Sequence, residues 1–274
     1  MVVLKFLLRS LLDRLHLTAL AGDLYNKFVY FLSFHIRIRN SRFRKARAPD
    51  GLPLPTPQMV YLVTGQFSLE PFLVNGSLGA QCIRNILTKN GLNIREFNSI
   101  LDFGCGCGRV LRHWSELKTS RLYGIDYNPY PILWCRKAFP FAEFSVNHMQ
   151  TPLDYQEGHF DFIYAISVFT HLTVTSQQFW INELRRVLKP GGYLYLTTMG
   201  ESYLLRLKLK EQELFKAGHA VVKEDRFNGN NFCGAFLPEA YVHQVLANGF
   251  HVVDFIPEGA KDAKLDVFLL RKPA

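Results

Sequence analysis

The fold is decided by one stretch of the sequence, Ile100-Leu101-Asp102-Phe103-Gly104-Cys105-Gly106-Cys107-Gly108. A short apolar run ends at an acidic residue, and three alternating glycines follow it. The residues from Arg109 to Trp114 favour the start of a helix. A strand, a glycine turn and a helix in this order expose backbone N–H groups and a helix N-terminus to a nucleotide-like ligand. Glycine is needed because a Cβ would block close approach or disfavour a positive φ.

A second acidic residue, Asp126, ends the next apolar run, at residues 121–125. An acid at the tip of the second strand is well placed to bind ribose hydroxyls. Dinucleotide-binding folds use the spacing G-x-G-x-x-G, whereas Arg109 or Leu111 stands here where the third glycine would be. The spacing therefore disfavours a nicotinamide-dependent oxidoreductase.

The order acid-x-G-x-G-x-G, followed by a later acid, resembles the class I S-adenosylmethionine-dependent methyltransferases. The resemblance covers residues 78–272 and implies S-adenosylmethionine as the cofactor. It implies that Asp102 and the glycine turn hold the methionine end of the cofactor, that Asp126 holds the ribose, and that Asn147 contacts the adenine amine. The family usually carries Asp at the last of these positions. The cofactor-binding residues predicted on this basis are Asp102, Gly104, Cys105, Gly106, Gly108, Asp126, Tyr127, Asn147, His148 and Ser167.

The fourth predicted strand leads into Ser167-Val168-Phe169-Thr170-His171. Ligands of open α/β sheets bind beyond the carboxyl ends of the strands, so this segment is expected to face the pocket. His171 is the candidate catalytic general base, because a histidine that titrates near neutral pH is suited to accept a proton from the methyl acceptor. Packing or helix capping is the alternative role for this residue. Weaker candidates for the base are Glu70, His219 and Asp225.

The segment Asn128-Pro129-Tyr130-Pro131 resembles the Asn-Pro-Pro-Tyr motif of DNA amino-methylating enzymes. That motif follows the fourth strand, where its amide grips the amine. Here the segment follows the second strand, with proline at the predicted helix start. Methylation of nucleobase amines is therefore disfavoured.

Alternating strands and helices predict an α/β fold with a Rossmann-like, doubly wound and mostly parallel seven-stranded sheet. The resemblance implies that the last strand is antiparallel. The predicted strands are residues 98–103, 121–126, 142–146, 161–166, 191–198, 251–256 and 264–271. The predicted helices are residues 78–90, 107–117, 130–138, 174–187 and 237–248.

Three parts are predicted along the chain. Residues 1–50 form a basic amphipathic helical arm, and residues 51–97 form a linker and a helical segment that covers the pocket. Residues 98–274 form the methyltransferase domain, with a substrate-lid insertion near residues 200–235.

The arm holds most of the excess positive charge. Residues 1–50 contain ten Lys and Arg against three Asp, which gives +7 of the total +9. The apolar segments at residues 2–20 and 24–38 predict helices that cover the domain or a sister subunit in a homodimer. Alternatively, they lie on an anionic membrane surface. Nucleic-acid binding is disfavoured, because the rest of the chain does not extend a basic face.

The chain has five cysteines and no C-x-x-C motif, which predicts neither a disulfide framework nor a metal site. This usage suits a reducing cytoplasm, with attachment to the cytoplasmic face of a membrane if the arm binds lipid.

Together these patterns predict methyl transfer from S-adenosylmethionine to a small-molecule substrate. O-methylation of a sugar, a lipid-linked intermediate or a secondary metabolite is favoured, and N-methylation is second. The alternatives are a non-catalytic cofactor-binding scaffold at a membrane surface and, with less support, the nicotinamide-dependent oxidoreductase.

Overall fold

A computed structural model describes residue 31, residues 34–41 and residues 48–274. The chain divides into two compact units, residues 1–71 and residues 72–274. The second unit therefore takes in residues 72–97, which the sequence assigned to a separate covering segment. The predicted arm helix at residues 2–20, and most of the segment at residues 24–38, lie outside the described residues.

The first unit contains helix α1 (Phe34–Ser41) and helix α2 (Pro57–Thr64), and α3 (Leu69–Lys89) begins within it. The side chain of Asn40 accepts a hydrogen bond from the backbone N–H of Leu69 (3.1 Å) and donates one to the carbonyl oxygen of Phe67 (2.9 Å). Helix α3 starts earlier than the predicted helix at residues 78–90. Across the described residues, every helix is too short or too polar to cross a bilayer.

The second unit is built on a seven-stranded sheet of β1 (Ser99–Phe103), β2 (Arg121–Asp126), β3 (Ala142–Val146), β4 (Phe160–Ala165), β5 (Leu188–Thr198), β8 (His251–Ala260) and β9 (Leu265–Arg271). Across the sheet the strands lie in the order β3-β2-β1-β4-β5-β9-β8. Strands β1 to β5 run parallel, while β9 lies between β5 and β8 and runs antiparallel to both. The predicted sheet and its antiparallel last strand are confirmed.

Helices α4 (Pro129–Ala138) and α5 (Val174–Val187) connect strands of the sheet, and each begins at a side-chain cap. The side-chain oxygen of Asn128 accepts the N–H of Tyr130 (3.0 Å), so the Asn-Pro segment starts a helix here. The insertion predicted as a substrate lid, called the lid insertion below, folds as helix α6 (Leu209–Lys216) and a hairpin of β6 (Val221–Lys223) with β7 (Gly234–Phe236). The sequence did not predict this hairpin.

The predicted helix at residues 107–117 is wrong. The chain after Gly108 makes only turns and a short 3-10 segment, Leu111–Trp114. The consecutive residues Val110, Leu111 and Arg112 are all buried, and Trp114 is buried with them. Burial of consecutive side chains lacks the one-sided pattern of a surface helix, so tertiary packing rather than local periodicity sets the backbone here. The glycine turn is therefore not followed by a long helix. The expected contribution of a helix N-terminus to ligand binding does not apply at this turn.

The predicted helix at residues 237–248 is also corrected. It is a short α-turn, α7 (Glu239–Tyr241), that continues as a π-helical segment, Val242–Leu246. The backbone N–H of Ala247 donates to the carbonyl oxygen of Val242 (2.7 Å), and these residues are buried together with Tyr241 and Leu246. The wider π turn gathers these buried side chains into a narrower arc than an α-helix would.

Asp161 has a structural role at the start of β4. One carboxylate oxygen accepts the backbone N–H and the hydroxyl of Ser99, both at 2.9 Å, and the other accepts Lys189 Nζ at 2.7 Å. The side chain therefore ties together the starts of β1, β4 and β5. This leaves the opposite ends of these strands to present the loops that carry the site.

Candidate functional site

The glycine turn after β1 is held to the end of β2. The backbone N–H groups of Gly104 and Cys105 both donate to the carbonyl oxygen of Ile125, at 2.8 and 2.9 Å. Gly104, Gly106 and Gly108 have φ values of 79°, 52° and 68°. A Cβ at Gly104 would also collide with the side chain of Val168. Glycine is therefore required here by the backbone conformation and by the close approach of the loop after β4.

Asp126 connects the loop after β2 to the glycine turn. Its Oδ2 accepts the backbone N–H of Gly106 at 2.9 Å, and its Oδ1 accepts that of Asn128 at 2.8 Å. Each carboxylate oxygen keeps a further lone pair with which to accept a ligand hydroxyl. The predicted ribose-binding acid is thus fixed in place against the turn.

Asp102 lies at the base of the turn and is buried. Burial raises the pKa of Asp102 to about 7, although a hydrogen bond from the Tyr164 hydroxyl and the charge of Arg109 oppose this rise. The Tyr164 hydroxyl in turn accepts a hydrogen bond from Trp114 Nε1 at 3.0 Å. These groups set Asp102 at the border between its neutral and ionised forms near neutral pH.

The predicted adenine contacts follow β3. The backbone N–H of Asn147 donates to the carbonyl oxygen of Asp126 at 3.2 Å, which brings the loops after β2 and β3 together. Asn147 is half-buried, and His148 and Tyr127 are exposed. The three residues therefore lie at the same edge of the sheet as the glycine turn.

Ser167, after β4, has a φ of 59°, which is unfavourable for a residue with a side chain. Its backbone N–H donates to Thr197 Oγ1 at 2.8 Å, and its hydroxyl lies 3.2 Å from Thr170 Oγ1. The neighbouring strand β5 thus stabilises a strained turn, a kind of feature that is concentrated at ligand sites.

His171 ends a 3-10 turn, Phe169–His171, directly after this segment. Its Nδ1 lies 2.7 Å from the carbonyl oxygen of Cys233. A carbonyl oxygen can only accept a hydrogen bond, so the imidazole must be the donor. Nδ1 therefore carries the proton, and Nε2 is the acceptor. Burial lowers the pKa of His171, against the effect of the hydrogen bond to Cys233, so the ring is neutral at neutral pH. This is the protonation state that a general base requires.

The lid insertion is fastened to the same segment. The backbone N–H of Gly229 donates to the carbonyl oxygen of His171 at 2.7 Å. The amide side chain of Asn228 accepts the N–H of Thr173 at 2.9 Å and donates to Ser176 Oγ at 2.6 Å. We call residues 228–233 the lid latch. The sequence indicated a pocket wall in this region but not these contacts, and the Asn-rich composition was the only sign of them.

The weaker candidates for the base have different surroundings. His219 and Asp225 lie in the lid insertion, and both are exposed. Glu70 lies in the first turn of α3, within the first unit. His171 is thus set apart from these candidates by its fixed tautomer and its burial.

The cysteines of the turn are buried structural residues. The Sγ atoms of Cys105 and Cys135 each lie 3.6 Å from the carbonyl oxygen of Gly106, and Cys107 is fully buried. Burial raises the pKa of the Cys107 thiol to about 12, so it stays protonated at neutral pH. A protonated thiol is a poor metal ligand and a poor nucleophile.

The arrangement suits a cationic nucleoside cofactor. Asp126 is placed for hydroxyl groups, Asp102 supplies a carboxylate beneath the turn, and Asn147 supplies an amide after β3. The positive φ values of the glycines keep the turn free of side chains at the strand ends. The residues present therefore fit S-adenosylmethionine, and the seven-stranded sheet with its reversed β9 is that of the class I methyltransferases.

Sequence similarity to known proteins falls on the same part of the chain. Residues 101–196 match the family described as "Methyltransferase domain". The sterol 24-C-methyltransferase of Schizosaccharomyces pombe is 30% identical over 123 residues, which are 41% of this chain and 31% of that protein. The malonyl-[acyl-carrier protein] O-methyltransferase of Salmonella typhimurium is 26% identical over 166 residues, which are 56% of this chain and 54% of that protein. The chain thus spans between about a third and about half of these curated relatives.

Solved structures share the fold. A S-adenosylmethionine-dependent methyltransferase from Methanosarcina mazei has a TM-score of 0.50 and 25% identity, covering 64% of this chain and 92% of that one. The 1,6-didemethyltoxoflavin-N1-methyltransferase of Burkholderia thailandensis has a TM-score of 0.55 and 16% identity, covering 84% and 94%. Residues 101–196 therefore match a methyltransferase domain, and the fold around them is that of S-adenosylmethionine-dependent methyltransferases.

Proposed function

We propose that this protein transfers the methyl group of S-adenosylmethionine to a hydroxyl group of a small molecule, with His171 as the general base. The observation that carries the proposal is the bond between His171 Nδ1 and the carbonyl oxygen of Cys233, because it leaves Nε2 as a neutral proton acceptor. The site follows the end of β4, where ligands of such sheets bind.

The cofactor, when bound, supplies an electrophilic methyl group on a sulfonium. The acceptor oxygen forms the new C–O bond as the C–S bond breaks, and the hydroxyl proton passes to His171 Nε2. The protein's main contribution is to hold the two reactants in line. Asp102, Asp126 and Asn147 orient the cofactor side of this arrangement, and the lid latch fixes the imidazole on the acceptor side.

The favoured acceptors are a sugar, a lipid-linked intermediate or a secondary metabolite, and an amine acceptor is second. The names of the similar proteins support acceptors other than a large polymer, since they include a sterol, malonyl-[acyl-carrier protein] and 1,6-didemethyltoxoflavin. The nearly neutral charge of residues 51–274, at +2, agrees with an acceptor that is not a polyanion.

The first experiment measures cofactor binding and turnover separately. Thermal unfolding is followed with S-adenosylmethionine, S-adenosylhomocysteine and NAD, and methyl transfer from a labelled cofactor is followed with a panel of hydroxyl and amine acceptors. We expect stabilisation by the two adenosyl ligands and loss of that effect in Asp126→Ala.

His171→Ala distinguishes the enzyme from a cofactor-binding scaffold. We expect it to lower turnover about 10²- to 10⁴-fold, the range for a positioned proton acceptor, with unchanged cofactor binding. His219→Ala, at an exposed histidine of the lid insertion, is the matched control and should keep full turnover. Equal turnover in both variants would remove His171 from the mechanism. Cofactor binding without turnover on any acceptor would favour the scaffold.

A further inference from the structure

A short segment of the lid insertion exposes two leucines side by side with three cations. We call residues 204–210, Leu-Leu-Arg-Leu-Lys-Leu-Lys, the lid tip. The side chain of Leu205 is 90% exposed and that of Leu209 is 78% exposed, whereas Leu207 between them is buried. Single exposed apolar residues are ordinary, but two almost fully exposed leucines four residues apart are a candidate interaction surface.

The lid tip is held rigidly in this exposed position. The Tyr203 hydroxyl donates to the carbonyl oxygen of Ala263 at 2.5 Å, which anchors the start of the tip to the turn between β8 and β9. The Arg206 guanidinium stacks 4.4 Å above the Tyr203 ring. The backbone N–H of Lys208 donates to Glu211 Oε2 at 2.7 Å, which caps α6. The leucines are therefore presented to the outside by a folded scaffold.

The charges around the leucines are complementary to an anionic surface, although the exposed Glu201 lies just before them. Arg206, Lys208 and Lys210 are all exposed, and residues 202–210 contain no acidic residue. The nearest following acid, Glu211, is engaged by the Lys208 N–H and by Lys223 Nζ at 3.4 Å. Apolar side chains flanked by cations match a lipid surface with anionic headgroups, where leucines enter the acyl boundary and cations remain at the headgroups.

We propose that the lid tip inserts Leu205 and Leu209 into the surface of an anionic membrane. This contact is separate from the arm at residues 1–50. The lid tip follows the end of β5, at the sheet edge where the loops after β1 and β4 gather. Binding there brings the site to the membrane surface. The contact itself does not depend on methyl-transfer activity, so the proposed function and this proposal fail independently.

The direct test places a tryptophan at the lid tip of the full chain. Leu205→Trp is mixed with phosphatidylglycerol-containing vesicles whose acyl chains carry bromine, which quenches only indoles that enter the acyl region. We expect added quenching relative to the wild type. Leu133→Trp is the control, because Leu133 is also exposed (55%) but lies on α4. If Leu205→Trp is quenched no more than Leu133→Trp, the proposal is overturned, whatever the arm contributes to vesicle binding.

A second test measures partition between water and vesicles. Leu205→Ser with Leu209→Ser should lower the partition coefficient at least tenfold, since the insertion of two leucines is lost. Lys208→Gln with Lys210→Gln should lower it roughly thirtyfold on anionic vesicles and leave it unchanged on pure phosphatidylcholine. Leu133→Ser should bind as the wild type does. Both double variants are first checked for an unchanged unfolding temperature. Equal partition of wild type and double variants would contradict the proposal.

Discussion

Arg109 Nη1 lies 2.7 Å from Asp262 Oδ2, and this ion pair joins the residue after the glycine turn to the turn between β8 and β9. The two side chains are only 13% and 2% exposed. Residues 153 positions apart thus hold the cofactor turn against the last hairpin of the sheet. The pair makes the stability of the turn depend on an element far along the chain.

Removal of one partner should therefore destabilise the protein strongly. We expect Asp262→Ala to lower the free energy of unfolding by about 3–5 kcal/mol, because it leaves a buried guanidinium without its counterion. Glu116→Ala is the control, since its pair with Arg84 is exposed and should cost less than about 1 kcal/mol. Urea unfolding of both variants measures the difference. Equal losses would show that the Arg109–Asp262 pair is not effectively buried in solution.

Cofactor affinity should depend on the ionisation of Asp102. Its pKa is raised by burial from 3.8 to about 7, so the carboxyl group is protonated below that value and ionised above it. We expect the affinity for the cationic S-adenosylmethionine to rise as the pH increases through about 7. Calorimetric titration across this range measures it.

The Asp102→Asn variant should lose this pH dependence and bind weakly throughout. Tyr164→Phe removes a hydrogen bond that lowers the pKa of Asp102, so it should move the midpoint to higher pH. The pH dependence of the free energy of unfolding gives an independent test of the Asp102 pKa. The proton held by Asp102 in the folded protein stabilises it at acid pH, and this contribution is lost as the pH rises from 3.8 to about 7. A midpoint unaffected by either substitution would assign the titration to another group.

The pH profile of turnover should report His171. Burial lowers the pKa of His171 below its ordinary value of 6.5, so the base becomes protonated only on the acid side of that value. We expect kcat to rise with pH to a plateau reached by neutral pH. The Asn228→Ala variant frees the lid latch from Thr173 and Ser176 and should reduce kcat while cofactor affinity is unchanged. Asn248→Ala, at an exposed asparagine, is its control. If Asn228→Ala changes cofactor affinity and kcat in proportion, the latch does not act through the base.

Gly104→Ala should lower the free energy of unfolding more than Gly91→Ala does. Both Gly104 and Gly91 have positive φ, at 79° and 71°, but only the Cβ at Gly104 would strike another side chain, that of Val168. We expect Gly91→Ala to cost about 1 kcal/mol of unfolding free energy, which reflects the backbone conformation alone. Gly104→Ala should cost a further 1–3 kcal/mol or so from overpacking and should abolish cofactor binding. Thermal unfolding of the two variants separates the two effects. Equal losses would show that Val168 yields freely.

The sequence predicts the sheet well because short apolar runs are followed by acidic, glycine or proline residues that mark the strand ends. Strands β2 and β3 have the predicted limits, 121–126 and 142–146. The glycines of the turn show the positive φ that their spacing implies. Local pattern failed at residues 107–117, where the burial of consecutive side chains is a property of the whole packed domain.

The sequence offers candidate residues for the site but not the contacts that hold them in place. Asp102, Asp126 and His171 were selected by position along the strands. The group that sets the tautomer of His171 is the backbone carbonyl of Cys233, 62 residues away. Every residue has a backbone carbonyl, so the amino-acid sequence does not reveal which one bonds to the imidazole. Residue by residue, the roles of the ten cofactor-binding positions remain predictions.

The position of β9 between β5 and β8 has a consequence for biosynthesis. Strand β8 is synthesised before β9, yet it joins the sheet only through β9. The emerging chain therefore carries β5 with an open edge until residues 265–271 have left the ribosome. At ordinary translation rates of about 5–20 residues per second, this interval lasts several seconds for the length from β5 to β9. During that time the edge of β5 is open to pairing with other chains, so it is an aggregation-prone edge of the nascent molecule.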